Sequence, residues 1–139
     1  DTCRDLGVSL IPYSPLGRGF FTGTVSNQSD LRENDRRTFF PRFSEENLER
    51  NVHLLDVVKE VAETKGCAPG QVAIAWVLAQ GEDIIPIPGT RRRNYLEENA
   101  AAAEVTLDTE DLDKLDRVFS KGVAAGERLP DMQMPYVNQ

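Results

Sequence analysis

Two apolar stretches, GVSLIPY (residues 7–13) and DIIPIPG (residues 83–89), set the outer limits on what this chain can fold into. Both are nearly continuous in large aliphatic side chains, the pattern of strands covered on both faces, as in a parallel sheet. Pro86 and Pro88 place the second run at a strand end or in an irregular strand, because proline has no N–H to give a ladder. Helical patterns fill the space between and after the runs, and that alternation reads as βα units on a parallel sheet. Two such strands can neither close a sheet nor cover one another. A barrel of eight needs ~250 residues, and the chain has 139, enough for one ordinary domain. The expectation is the C-terminal portion of a larger α/β domain. The start, DTCRDLG, fits this: it has no methionine, reads as the end of a helix, and lacks the apolar core of a signal peptide.

The helices announce themselves by caps and spacing. Ser44 is the expected N-cap of a first long helix, with Leu48, Val52, Leu55 and Val58 as its apolar stripe and Gly66 as its stop. APGQVAIAWVLAQG is a second, mostly buried helix with Pro69 in its first turn, a face of Ala73, Trp76, Val77 and Gln80, and Gly81 at its end. A third begins in the arginine run and ends near Ala103. Asp108 is the expected N-cap of a fourth, with acidic residues in the first turn. Residues 121–139 show no clear periodicity. His53, the sole histidine, reads as a helix-surface or packing residue.

A net charge of −7 argues against a general nucleic-acid surface, which needs broad positive charge. No apolar run approaches the ~20 residues that cross a bilayer. Cys3 and Cys67 have neither CxxC spacing nor a histidine at ligand distance, so no metal site is expected and reduced thiols in a cytoplasmic protein are. Nucleophile–base pairs and spaced carboxylates are likewise missing from the pattern, so no catalytic residue is assigned.

Against that acidic background, RRRNYLEEN stands out. The N-terminus of a helix carries partial positive charge, so arginines there are unfavourable unless an anion joins them. Thr90 is a plausible cap, and Arg91 and Arg93 are placed to clamp a phosphate monoester with forked hydrogen bonds. Glu98 and Asn99, two turns on, suit an amino-substituted base. A solvated charge run, partnered by Glu97 and Glu98 at helical spacing, is the other reading. YSPLGRGF supplies a second candidate at the C-terminal end of the first strand, where α/β barrels bind ligands. Gly17 and Gly19 permit a tight bend, and their N–H groups, the Ser14 hydroxyl and the Arg18 guanidinium suit a diphosphate. A plain structural loop is the competing reading. Together the two segments match a ligand with a diphosphate and a separate phosphate, the layout of NADP(H).

PYSPLGRGFFTG, APGQVAIAWVLAQG and IPIPGTRRRNYLEEN resemble, in this order, the aldo-keto reductases, most nearly the auxin-induced or perakine-reductase-like branch. The resemblance spans essentially the whole chain. It implies a TIM-type (β/α)8 barrel and NADP(H) as cofactor. Residues 1–139 would be the C-terminal portion of one barrel domain: strands seven and eight, flanking helices and tail. By position, Tyr13 resembles the aromatic that stacks on the nicotinamide. Ser14, Pro15, Leu16, Gly17, Arg18 and Gly19 resemble the diphosphate loop, Gly89, Thr90 and Arg91 the surround of the 2′-phosphate, and Glu98 and Asn99 the adenine contacts. Tyr95 stands where many relatives carry arginine or glutamine. The family's catalytic Asp, Tyr, Lys and His would all precede this chain.

The connection 19–44 holds Phe20, Phe21, Phe39, Phe40 and Phe43. It reads either as a loop docked by residues 39–43 or as one that folds over cofactor and helps form a carbonyl pocket, with Met132, Met134 and Tyr136 of the tail as further lining. The implied activity is reduction of a small aldehyde or ketone by direct hydride transfer, with the rest of the barrel as partner, no nucleic acid, no membrane insertion and the oligomeric state open. An NADP(H)-binding sensor or accessory subunit is the alternative. A polypeptide truly beginning at Asp1 would be an inactive fragment.

Overall fold

The computed structural model describes residues 1–137; Asn138 and Gln139, the end of the aperiodic tail, lie outside the described residues. Its helices are α1 (Thr2–Asp5), α2 (Glu45–Lys65), α3 (Pro69–Ala79), α4 (Arg93–Ala101) and α5 (Thr109–Phe119). Short 3-10 turns shape the connection before α2. No helix among the described residues is long and apolar enough to cross a membrane.

The two apolar runs do lie side by side and parallel, but they form no strand ladder among the described residues. They meet only at two isolated bridges, Leu10 with Ile84 and Tyr13 with Ile87. The Leu10 N–H donates to Asp83 O at 2.8 Å, and the Ile85 N–H to Leu10 O at 2.9 Å. Pro12, Pro86 and Pro88 have no N–H to extend the pairing. Burial on both faces is also corrected. Val8, Leu10, Ile11, Ile85 and Ile87 are each 46–57% exposed, because each run has only the other as a neighbour.

The helix caps follow the local chemistry. Ser44 Oγ accepts from the Asn47 N–H, and Gly66 ends α2 at φ +64°. Asp108 Oδ1 accepts from the N–H groups of Glu110 and Asp111, and the Asp111 carboxylate accepts from the Asp108 N–H. On α2 the buried positions are Leu48, Asn51, Leu55, Val58, Val61 and Ala62, whereas Val52 is only half-buried. The core-facing arc thus follows steps of three and four through residue 51, which puts Val52 at its edge. His53 sits on the exposed side of the helix, facing Asp56.

Two hydrophobic clusters divide α2. Its first half buries Leu48 and Leu55 against Phe20, Val25, Leu31 and Phe43 of the preceding connection. Its second half packs Val58, Val61 and Ala62 on Val72 of α3 and on Leu115 and Val118 of α5. Within the expected docking stretch 39–43, Phe43 is buried and Phe40 packs against the same cluster, joined by Phe20 and Phe21, whereas Phe39 is 73% exposed. Asp35 fixes the turn Arg36–Phe39. Its Oδ1 accepts from the Arg37 N–H at 2.9 Å and Nε at 3.0 Å, and its Oδ2 from Nη2 at 2.7 Å. So held, Arg37 donates from Nη1 to the Arg18 carbonyl at 3.2 Å.

Asn51 is a buried amide with every role taken. Its Oδ1 accepts from the Ala125 N–H at 2.7 Å, while Nδ2 donates to Ala125 O at 3.1 Å and to Arg42 O at 3.3 Å. The aperiodic tail is thereby strapped to α2. Gly126, at φ +84°, lies so close that a Cβ there would meet the Pro41 carbonyl at 2.9 Å.

Hydrogen bonds from the Arg37 side chain, then from its N–H, hold the Asp35 carboxyl at about 2, below its ordinary 3.8. A depressed folded-state value favours the fold above the unfolded value and loses that contribution as pH falls toward the folded one. Asp35→Asn should therefore lower the thermal midpoint at about pH 5, and the gap to wild type should narrow as pH falls below about 4 and close only at or below about pH 2. A gap independent of pH would contradict the pair. Gly126→Ala should release the tail through both the positive φ and the contact with Pro41. Limited proteolysis would register faster cleavage within residues 121–137, with α2 still protected.

Candidate functional site

The glycine-rich turn and the start of α4 face one another across a cleft of about 620 Å³. Ser14, Pro15, Leu16, Arg18 and Gly19 form one wall, and Gly89, Thr90, Tyr95, Glu98 and Asn99 the other. Thr22, Thr24, Ala68 and Pro88 complete the lining, and none of these four was assigned to a site from sequence. The walls meet over the first turn of α3. A Cβ on buried Gly70 would lie 3.4 Å from Leu16 Cδ2, 3.8 Å from Thr22 Cγ2 and 3.9 Å from Glu98 Oε1. These are ordinary van der Waals distances, so residue 70 marks where both walls rest on the helix.

The first wall is a strained turn. Ser14 at φ +55° and Arg18 at φ +57° adopt left-handed backbone that costs L-residues about 1–3 kcal/mol each. Internal bonds hold it. The Gly17 N–H donates to Ser14 O and the Gly19 N–H to Leu16 O, both at 2.9 Å, and the Thr22 hydroxyl donates to Gly19 O at 2.7 Å. This corrects one expectation: the two glycine N–H groups are engaged within the turn. What it offers a ligand is the Ser14 hydroxyl and the Arg18 guanidinium, which rests 3.9 Å above the Phe40 ring. Gly17 itself faces away from the cleft, toward Phe21. No sequence signal pointed to Arg37 as the buttress of Arg18, because their contact joins segments without a shared periodicity.

The second wall shifts the arginines. Arg92 is the N-cap of α4, so only Arg93 lies in its first turn. Thr90 caps the preceding bend instead: its Oγ1 accepts from the Arg92 N–H at 3.2 Å. Arg93 donates from Nε to Glu97 Oε1 at 2.9 Å, with 90% of its side chain exposed, and lines no part of the cleft. Its pairing matches the solvated reading of the charge run. A contiguous cavity of about 720 Å³ extends the cleft outward, lined by Thr24, Gly89, Thr90, Arg91, Arg92 and Tyr95. Arg92, whose Cζ lies 5.7 Å from the Tyr95 ring centroid, therefore shares with Arg91 the place expected of Arg93.

Tyr13 lies outside the cleft lining, at the bridge to Ile87, with half its surface exposed. The guanidinium of Arg128 covers its ring at 4.7 Å. Among the described residues no group of three or more metal-ligating side chains occurs. Burial pushes the Cys67 thiol up, which leaves it a poor nucleophile. The cleft thus has one guanidinium on its first wall, the Glu98 carboxylate and Asn99 amide on its second, and two further guanidinium groups at its outer extension.

The sequence model of the Aldo/keto reductase family matches residues 1–119. An aldo-keto reductase of Schizosaccharomyces pombe, whose name specifies NADP(+), is 39% identical over 128 residues, which cover 92% of this chain and 38% of that protein. One from Strobilurus tenacellus has the same identity and coverage. The chain thus spans under two-fifths of the length of these curated relatives. Among solved structures, a thermostable aldo-keto reductase bound to the inhibitor epalrestat matches with a TM-score of 0.58 and 26% identity, over 84% of this chain and 32% of that one. Aldose reductase from Giardia lamblia matches in fold with a TM-score of 0.54 and 24% identity, over 83% of this chain and 30% of its own. Both neighbours are TIM-barrel enzymes, and what is arranged here fits part of that barrel. Family match, identity and fold agree: the chain belongs to the aldo/keto reductase family.

Proposed function

We propose that the chain supplies much of the NADP(H) site of a carbonyl reductase, one that converts an aldehyde or ketone to an alcohol by direct hydride transfer. The observation that carries this is the single cleft onto which both anion-suited segments open. Its donor set fits the cofactor. Ser14 and Arg18 suit the diphosphate, Gly89, Thr90, Arg91 and Arg92 the 2′-phosphate, and Tyr95, Glu98 and Asn99 the adenine end. The name of the fission-yeast relative, which specifies NADP(+), supports the same choice.

When bound, the cofactor supplies the hydride. Residues of this chain would hold it: the Ser14 hydroxyl and the Arg18 guanidinium would bind the diphosphate, and the Tyr13 ring, beside the cleft, would stack on the nicotinamide. Residues 1–139 are read as the C-terminal portion of one barrel domain, its seventh and eighth strands included. The half-exposed Leu10, Ile11, Ile85 and Ile87 would then pack against other parts of the barrel. The proton donor and its partners belong to strands outside this chain.

Arg91→Ala with Arg92→Ala should weaken NADPH about tenfold or more while changing NADH far less, since each charge-assisted contact contributes about 1.5–3 kcal/mol. Arg93→Ala should have the smaller effect. Fluorescence titration of the complete protein reads all three. An unchanged NADPH/NADH preference would remove the arginines from the 2′-phosphate. NADPH binding without turnover of any aldehyde would return the sensor reading.

A further inference from the structure

The strained turn is gripped from behind by side chains outside the cleft. Asp35, Arg37 and Phe40 line neither the cleft nor its outer extension, yet the short segment that carries them meets Arg18 at two points. Arg37 Nη1 donates to the Arg18 carbonyl at 3.2 Å, and the Arg18 guanidinium rests 3.9 Å above the centre of the Phe40 ring. The first contact fixes the backbone of a residue at φ +57°, which an L-residue does not hold unaided. The second fixes where its charge points, since an aromatic face attracts a guanidinium. A Cβ on Gly19 would lie 3.4 Å from Arg37 Nη1, so the guanidinium of Arg37 sits directly against the turn.

Arg37 is itself held firmly. Asp35 takes its Nε and Nη2 in a fork, and the centre of the buried Phe43 ring lies 5.9 Å from its Cζ. Only 23% of the Arg37 side chain and 19% of that of Asp35 is exposed, so the pair is poorly screened by solvent. Each of the three guanidinium nitrogens already donates within the chain, an arrangement that holds backbone and not a ligand. We propose that Arg37, clamped by Asp35, is a positioning residue for the cofactor diphosphate, and that Phe40 shares the task by aiming Arg18. Affinity for the dinucleotide is then set in part by side chains that never touch it. This rests on the NADP(H) site proposed above, but not on reduction of any carbonyl. The diphosphate is common to NADPH and NADH, so both lose alike when the clamp is broken, unlike the selective loss expected at Arg91 and Arg92. The 2′-phosphate end, at the other wall, does not feel the change.

The test titrates the complete protein with NADPH, NADH and 2′-AMP at neutral pH. Arg37→Ala should weaken NADPH and NADH by the same factor, about tenfold or more, the range of a hydrogen bond from a charged group. 2′-AMP, which has no diphosphate, should keep its dissociation constant. Asp35→Asn should reproduce most of the loss, and the double variant should lose no more than Arg37→Ala alone, as expected of residues that act as one clamp. Phe40→Leu, which keeps an apolar side chain on the cluster, should cost about two- to fivefold, with Phe40→Trp retaining the wild-type value. Arg50→Ala, on the exposed face of α2, should change nothing. NADPH affinity untouched by Arg37→Ala overturns the proposal. So does a loss confined to NADPH, which belongs to the 2′-phosphate, or one that 2′-AMP shares, which reports general damage to the fold. Should Arg37→Ala fail to fold, the Phe40 pair decides: unchanged NADPH affinity in Phe40→Leu overturns the proposal. The expected pattern in a protein that turns over no aldehyde supports the clamp and sinks only the reductase reading; a wild type that binds none of the three ligands overturns both.

Discussion

Phe20 and Phe21 follow the strained turn directly, and the geometry of the cleft depends on where they go. Phe20 is buried with Phe43, Leu48 and Leu55 in the cluster on the first half of α2. Phe21 packs against both clusters and meets Phe119 of α5 edge-on at 4.9 Å. Burial of one phenylalanine contributes about 1.5–3 kcal/mol, comparable to the about 1–3 kcal/mol that each left-handed L-residue costs. Two such rings immediately downstream can therefore hold Ser14 and Arg18 in backbone they would otherwise leave. The Arg37 contact to Arg18 O then fixes what hydrophobic burial alone, being non-directional, leaves free.

The same logic explains a polar residue inside α2. A leucine at position 51 would fill the arc between Leu48 and Leu55 and add apolar burial. An asparagine there is tolerable only because its donors and acceptor are satisfied, since an unpaired buried amide costs about 1–3 kcal/mol. What the fold gains is specificity: Asn51 recognises backbone, so it positions the tail whatever side chains the tail carries. Placement of Arg128 over Tyr13 follows from a helix residue distant in sequence.

Local chemistry was readable from the chain, and long-range chemistry was not. Ser44, Gly66 and Asp108 act within one helical turn, so their types sufficed to mark the ends of α2 and the start of α5. The apolar runs were readable as neighbours but not in their extent of pairing, since burial of a strand depends on what lies beside it. Gly17 and Gly19 signalled a bend correctly, yet whether their N–H groups face inward or outward depends on the path of the turn. Arg37 on Arg18 and Arg128 on Tyr13 join segments with no shared periodicity, and no pattern encodes such meetings. The order of motifs carried the family, because several local signatures in sequence are specific even where each alone is weak.

The arginine run shows how a sound electrostatic argument can fall on the wrong residue. Cations at a helix N-terminus oppose the dipole by about 0.3–1 kcal/mol each, within roughly the first turn. Only Arg93 lies there, and Glu97 four residues on compensates it. Arg91 precedes the helix and Arg92 caps it, where the opposition is weaker, but among the described residues neither has a carboxylate within ion-pair distance. At ionic strengths where charges are screened over about 8–10 Å, a net charge of −7 spread over the chain compensates them poorly. An anion held in the cavity they line would do so at contact range. The proposed phosphate site therefore rests on the two guanidinium groups that the helix does not neutralise, Arg91 and Arg92.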